Sequence, residues 1–194
     1  KTVQLISLIA ALLKKTGTGL DELEIRRHRG RVAKVMRFRE ESKHQALLTG
    51  FGLKDEPTLN TIELPKVAPI LIIVPPSVVK NWENEFETWG HFNVGVYSGQ
   101  SREKALDRIK DGRDFILIVG KSIFVRAADY DRIADVQWKL VIVDEFHEFK
   151  NGKSQGYMRL QDLRDNSECP MIGMTGTLMQ NNHDELYYLI DLVR

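Results

Sequence analysis

Three apolar runs rich in β-branched residues, Ile70–Val74 (ILIIV), residues 115–119 (FILIV) and Leu140–Val143 (LVIV), have no polar residue on either side of their pleat. A strand with one face in water alternates apolar and polar positions, so these runs must be covered on both faces. A parallel sheet between two layers of helices meets that requirement. Val94–Tyr97 and residues 171–175 are weaker strand candidates.

The segments between these runs have helical spacing. Ser77 can cap a helix on which Val79, Trp82, Phe86 and Trp89 share a face, and Gly90 can end it. That spacing predicts Trp82 and Trp89 as core rather than as platforms for stacked bases. Residues 101–110 turn Leu106 and Ile109 inward ahead of Gly112. Residues 154–164 align Tyr157, Leu160 and Leu163, and His183–Val193 aligns Leu186, Leu189, Ile190 and Val193. Residues 3–13 (VQLISLIAALL) are apolar almost all round, which predicts a helix buried against the sheet. Strands alternating with helices predict an α/β fold with a mostly parallel sheet and helices on both faces.

Residues 16–68 break the rhythm. They exceed the ~12–15 residues of ordinary connections and include Gly17, Gly19, Gly50, Gly52, Pro57 and Pro65. Residues 26–43 (RRHRGRVAKVMRFREESK) are strongly basic. The segment is predicted as a surface insertion, partly helical or disordered. Its cations could be simply solvated, contact phosphates, or serve in residues 26–31 as a nuclear-import signal. Asp21, Glu22 and Glu24 could instead fold back on them.

A chain of 194 residues fits one domain, and 42% apolar with 28% charged residues gives it a core and a wet surface. With a formal net charge of +1, any nucleic-acid signal must be local. The single cysteine, Cys169, excludes a disulfide framework and a cysteine-based zinc site, which suits a reducing compartment. Residues 3–13 are too short to span a bilayer and no secretory signal is visible, so no membrane partner is expected. The first residue is Lys rather than Met, and the natural N-terminus is expected upstream.

The sharpest chemical feature is Asp144-Glu145, two carboxylates at the end of a buried strand and followed by Phe146-His147. ATP hydrolysis needs one acid to hold the Mg²⁺ bridging the β- and γ-phosphates and another group to activate water. The crevice outside strand C-termini of an open α/β sheet is where ligands bind. Asp144 fits the first role and Glu145 the second; the alternative is two acids opening a solvated loop. Lys1-Thr2 opens directly into the first helix, as does the last dipeptide of G-x-x-x-x-G-K-[ST]. There the lysine reaches phosphates and the hydroxyl binds Mg²⁺. The third element, residues 174–181 (MTGTLMQN), places hydroxyl residues at a strand end, where they can link a nucleotide to a moving neighbour or form a plain turn. His147-Glu148 lacks the second histidine of a zinc protease motif, and the glycine pairs lack the third glycine of a dinucleotide fingerprint.

Together these residues resemble superfamily-two helicases, and within them the SWI/SNF family. Lys1-Thr2-Val3-Gln4 resembles the tail of GLGKTVQ, in a chain that starts inside its phosphate-binding loop. Residues 72–85 (IIVPPSVVKNWENE) resemble VP-x-S-LL-x-NW-x-x-E. Asp144-Glu145-Phe146-His147 with Lys150-Asn151 resembles DE[GA]H-x-x-KN, and residues 175–181 resemble TGTP-[LIV]-QN. Order and spacing match across nearly the whole chain apart from the insertion. The methionine in TGTLMQN is similar to the Cockayne-syndrome-B-like excision-repair branch. Two positions depart: Phe146 stands for a small residue and could alter water access, and residues 118–122 (IVGKS) stand where TTY is usual.

The resemblance implies a RecA-like (P-loop NTPase) fold over residues 1–194, the first of two motor lobes, with the second supplying arginine fingers. It implies ATP and Mg²⁺ as cofactors, with Lys1 and Thr2 at the phosphates and Thr2 and Asp144 at the metal. It implies tracking along double-stranded DNA in chromatin remodelling or DNA repair in the nucleus, with a nucleosome, RNA polymerase or repair factors as partners. Ser77 and Asn81, and with them Lys121 and Ser122, are expected at the DNA backbone. His147, Thr175, Thr177 and Gln180 are expected to couple the ATP and DNA sites. Two other readings remain open from sequence: a DExH-type RNA helicase lobe, and a catalytically degenerate DNA-binding or scaffold module.

Overall fold

The computed structural model describes residues 2–49, 69–177 and 183–194. Lys1 and Gln180, and Gly50, Gly52, Pro57 and Pro65 of the insertion, lie outside the described residues. In chain order the elements are α1 (Thr2–Leu12), α2 (Gly19–Thr49), β1 (Ile70–Val74), α3 (Val79–Trp89), β2 (Val94–Tyr97), α4 (Arg102–Lys110), β3 (Ile116–Gly120), α5 (Lys121–Phe124), α6 (Ala127–Ala134), β4 (Leu140–Val143), α7 (Gln155–Ser167), β5 (Met171–Gly173) and α8 (His183–Val193). Short 3₁₀ turns occupy Pro76–Val78, Gly99–Ser101 and Phe146–Phe149. Among the described residues no helix is long and apolar enough to cross a membrane.

The five strands form one parallel sheet in the order β2-β3-β1-β4-β5. Successive side chains point to opposite faces, and each apolar run therefore feeds two cores. Ile70, Ile72, Val74, Ile116, Ile118, Leu140 and Ile142 meet Leu5, Ile6 and Ile9 of α1 and Trp82 and Phe86 of α3. Leu71, Ile73, Leu117, Val119, Val141 and Val143 face the other way, onto α4 to α8. This division is why the runs carry no alternation: both sides are dry.

Several expectations change in detail. Ser77 does not cap α3; the Pro75-Pro76 pair favours a tight 3₁₀ turn first, and the cap position falls on Val78 without a side-chain bond. Ser154 does cap α7, accepting from Tyr157 N at 3.2 Å. Helix α1 is covered on one side only: Leu5, Ile6 and Ile9 are buried, whereas Val3, Leu8 and Leu12 are exposed. Trp82 is core, but Trp89 is 54% exposed and its indole donates to Glu85 in its own helix. Phe92 takes the position Trp89 was expected to fill, its ring edge-on to Phe86 at 5.2 Å.

Residues 16–68 begin with a short turn and continue as a single 31-residue helix, α2. Asp21 is buried and accepts from the backbone nitrogens of Thr16 (3.0 Å) and Gly17 (2.7 Å), which fixes the entry to the helix. These backbone donors hold its carboxyl below the usual carboxylate range. Of the acids expected to fold back on the basic tract, only Glu22 does, pairing with Arg26, while Glu24 pairs with Lys15.

Candidate active site

Leaving β1, the chain moves outward to β2, returns to β3 beside β1, and then crosses to the other side of β1 to form β4. Connections diverge between β1 and β4, which opens a crevice at their C-terminal ends. Asp144 and Glu145 follow β4 directly at that point.

Three hydrogen bonds fix Asp144. Its backbone nitrogen donates to Ile73 O of β1 at 2.8 Å, extending the ladder one residue beyond the strand. Its Oδ1 accepts from Glu145 N at 2.9 Å, and its Oδ2 accepts from Trp82 Nε1 at 3.0 Å. The fully buried Trp82 thus spends its one polar atom on the carboxylate at the switch point. Each oxygen keeps a free lone pair for an oxygen-seeking cation such as Mg²⁺. Among the described residues no group of three or more His, Cys, Asp and Glu is placed to cage a metal. A single carboxylate fits Mg²⁺, which is held by one or two carboxylates with substrate phosphates and water. Thr2 is the half-buried first residue of α1, on the same sheet face as Trp82, and no hydrogen bond joins it to Asp144 among the described residues.

Glu145 has left-handed backbone angles, φ 48° and ψ 49°. A non-glycine residue keeps such angles only where its surroundings impose them. Here the chain is pinned on both sides, by Asp144 N on Ile73 O and by Phe146 N on Met174 O at 2.8 Å. Its carboxylate is 41% exposed and lies 3.2 Å from His147 Nδ1.

His147 joins this loop to the end of β5. Its Nδ1 is also 3.0 Å from Thr175 Oγ1, and the Thr175 hydroxyl donates to Thr177 O at 2.8 Å. Since the threonine proton is used there, Thr175 Oγ1 is left to accept from His147 Nδ1, while the Glu145 carboxylate faces the same nitrogen at ion-pair distance. Thr177 N returns a bond to Thr175 Oγ1 at 3.1 Å. The expected coupling residues His147, Thr175 and Thr177 are therefore one bonded set.

Phe146 does not project into the crevice. Its ring is buried in the core beneath the sheet, and it fits because position 173 is glycine: a Cβ there would stand 2.3 Å from Phe146 Cδ1. The expected effect of the bulky ring on water access finds no support in this geometry.

Ser77, Asn81 and Ser122 are exposed, in the turn after β1, on α3 and on α5. Lys121 is committed inside the lobe, with Nζ 2.8 Å from Glu148 Oε2, 3.1 Å from Glu148 O, and 4.7 Å above the Phe149 ring. Lys150 pairs with Glu185 of α8 at 3.1 Å. Sequence reasoning placed Trp82 in the core and missed its bond to Asp144. The usable signal was that a buried indole N–H seeks an acceptor.

The SNF2-related domain model matches residues 1–194. The chain is 30% identical over 192 residues to the mouse (Mus musculus) DNA excision repair protein ERCC-6-like 2, covering 98% of this chain and 10% of that protein. It is 37% identical over 131 residues to Switch 2 of Arabidopsis thaliana, covering 64% of this chain and 14% of that protein. It thus spans a small part of these curated relatives. Among solved structures, the Sulfolobus solfataricus SWI2/SNF2 ATPase core in complex with dsDNA matches with TM-score 0.52 and 27% identity over 66% of this chain and 25% of that one. A parallel sheet with its acidic pair at the switch point and a domain match from end to end lead to one assignment: the chain belongs to the SWI2/SNF2 family of superfamily-two helicase-like ATPases.

Proposed function

We propose that residues 1–194 form the first RecA-like lobe of an ATP-dependent double-stranded-DNA translocase acting in chromatin remodelling or DNA repair in the nucleus. The observation that carries this reading is the cluster of Asp144, Glu145, His147 and Thr175 at the C-terminal edge of the sheet. Lys1 and Thr2 hold the phosphates. Thr2 and Asp144 hold Mg²⁺, which supplies charge neutralisation on the β- and γ-phosphate oxygens when bound. Glu145 takes a proton from the attacking water. His147 stands between Glu145, at ion-pair distance, and Thr175, its hydrogen-bond partner, so movement of the segment containing Thr175, Thr177 and Gln180 alters how the base is held.

The duplex in the archaeal relative's complex supports DNA as the polymer that is tracked. Ser77, Asn81 and Ser122 offer exposed polar groups on the rim of the crevice, and Lys121 joins them if its pair with Glu148 opens. A second lobe of the same protein completes the nucleotide site.

The test is the ATPase rate of the full-length protein alone and with duplex DNA, single-stranded DNA or RNA. Stimulation by duplex DNA is expected. Stimulation by RNA alone would place the protein among DExH helicases, and no turnover under any condition would make the lobe a non-catalytic module.

A further inference from the structure

Helix α2 has a docked face and a free one. Asp21, Ile25, His28 and Val32, spaced by four, three and four residues, are buried. His28 Nε2 lies 2.6 Å from Gly112 O, and its ring stands edge-on to Phe115 at 4.9 Å. The helix is thus fixed to the body of the lobe along this stretch.

At 100° per residue the side of the helix away from the docked face presents Arg26, Arg27, Lys34 and Arg37, with Arg31 on its flank, all exposed. Arg26 pairs with Glu22. Arg27, Arg31, Lys34 and Arg37 have no acidic partner among the described residues. An ordinary solvated helix intersperses acids three or four residues from its bases, because like charges at that spacing repel. Here residues 26–39 contain no acid, so Arg31 and Lys34 have none three or four residues away; Glu24 stands at that spacing from Arg27, and Glu40 and Glu41 from Arg37, but neither arginine is ion-paired among the described residues. Gly30 lies within the stripe with nothing within 4 Å of where a Cβ would stand. Glycine is a poor helix former, and here it leaves the helix backbone uncovered between Arg27 and Lys34.

We propose that this face of α2 is a second phosphate-binding surface that takes the sugar–phosphate backbone of duplex DNA; the choice of DNA rests on the translocase reading. From Arg27 to Arg37 the stripe runs ~15 Å at 1.5 Å per residue, enough to reach phosphates on both sides of a major groove ~12 Å wide. The surface is remote from the hydrolysis site. His28 is held by Gly112 and Phe115, which precede β3, whereas Asp144 follows the far end of the parallel β4. The strands between them span ~16 Å. Contacts of a duplex with α2 are therefore additional to those at Ser77 and Asn81, which lie at the C-terminal edge of the sheet.

The test uses the full-length protein with Arg27, Arg31, Lys34 and Arg37 all changed to Gln, and a matched variant with Lys at all four positions. Binding of a labelled duplex without nucleotide is measured by fluorescence anisotropy across a salt series, with melting temperature as the folding control. Each lost phosphate contact lowers the slope of log K against log salt by ~0.9, so the Gln variant is expected to lose about 2–4 from that slope while the Lys variant keeps it. An unchanged slope in the Gln variant overturns the proposal, as does loss of binding to labelled polyglutamate alone, which would assign the face to an acidic protein. Duplex-stimulated ATPase of the unaltered protein is read in parallel. Stimulation with an unchanged slope sinks the α2 surface and spares the motor; a reduced slope without stimulation does the reverse.

Discussion

The indole nitrogen of Trp82 donates to Oδ2 of Asp144 across 3.0 Å, although 62 residues separate them in sequence. The two sit at the ends of neighbouring strands, Trp82 on the helix after β1 and Asp144 immediately after β4. A buried, neutral donor that cannot ionise holds the carboxylate in one rotamer without competing for its charge.

Trp82→Phe keeps most of the packing and removes that donor. Partners that orient metal ligands typically change metal affinity 10–100-fold when lost. We expect the Mg²⁺ needed for half-maximal binding of a fluorescent nucleotide to rise by about tenfold, with the melting temperature lowered by only a few degrees. An unchanged Mg²⁺ titration would reduce Trp82 to a packing residue.

Glu145→Gln retains shape and hydrogen-bonding reach but cannot accept the proton of water. Loss of a positioned base is expected to lower turnover by about 10²–10⁴-fold while nucleotide binding persists. Normal turnover in the full-length variant would move the base elsewhere.

Thr175→Val removes one hydroxyl from the His147 set at nearly constant volume. A lost hydrogen bond of this kind is worth about 1 kcal/mol, so the fold should survive. Basal ATPase is expected to stay near its original rate while stimulation by duplex DNA falls. Equal loss of both would mean that Thr175 serves the chemistry rather than the coupling.

Gly173→Ala forces a methyl against the Phe146 ring. Overpacking of this kind destabilises by about 1–3 kcal/mol, read by denaturant unfolding. Combined with Phe146→Ala, the two changes should be less harmful than their sum by at least about 1 kcal/mol. Additivity would show that the contact relaxes freely.

The strands were legible because their apolar runs are dry on both sides, a pattern few other arrangements produce. The place of the acidic pair was legible because the buried run of β4 stops at Val143; the roles of the two carboxylates are the proposal made above. Trp82's second role was not, because its helical spacing accounts for its burial and no local pattern names a partner 62 residues away. The fit of Phe146 was hidden for the same reason: position 146 looks crowded until Gly173 is seen across from it. Helix α2 was obscured by composition, since four buried residues in 12 are too sparse a stripe to stand out among its charges.

Each strand shares its residues between two cores, so a slip of one position in β4 would send every side chain to the wrong layer. The same slip would carry Asp144 past Ile73 and away from Trp82. The apolar interior therefore proofreads the chemistry: a misregistered chain is rejected as an unfolded one, before it can persist as a well-folded lobe with misplaced carboxylates.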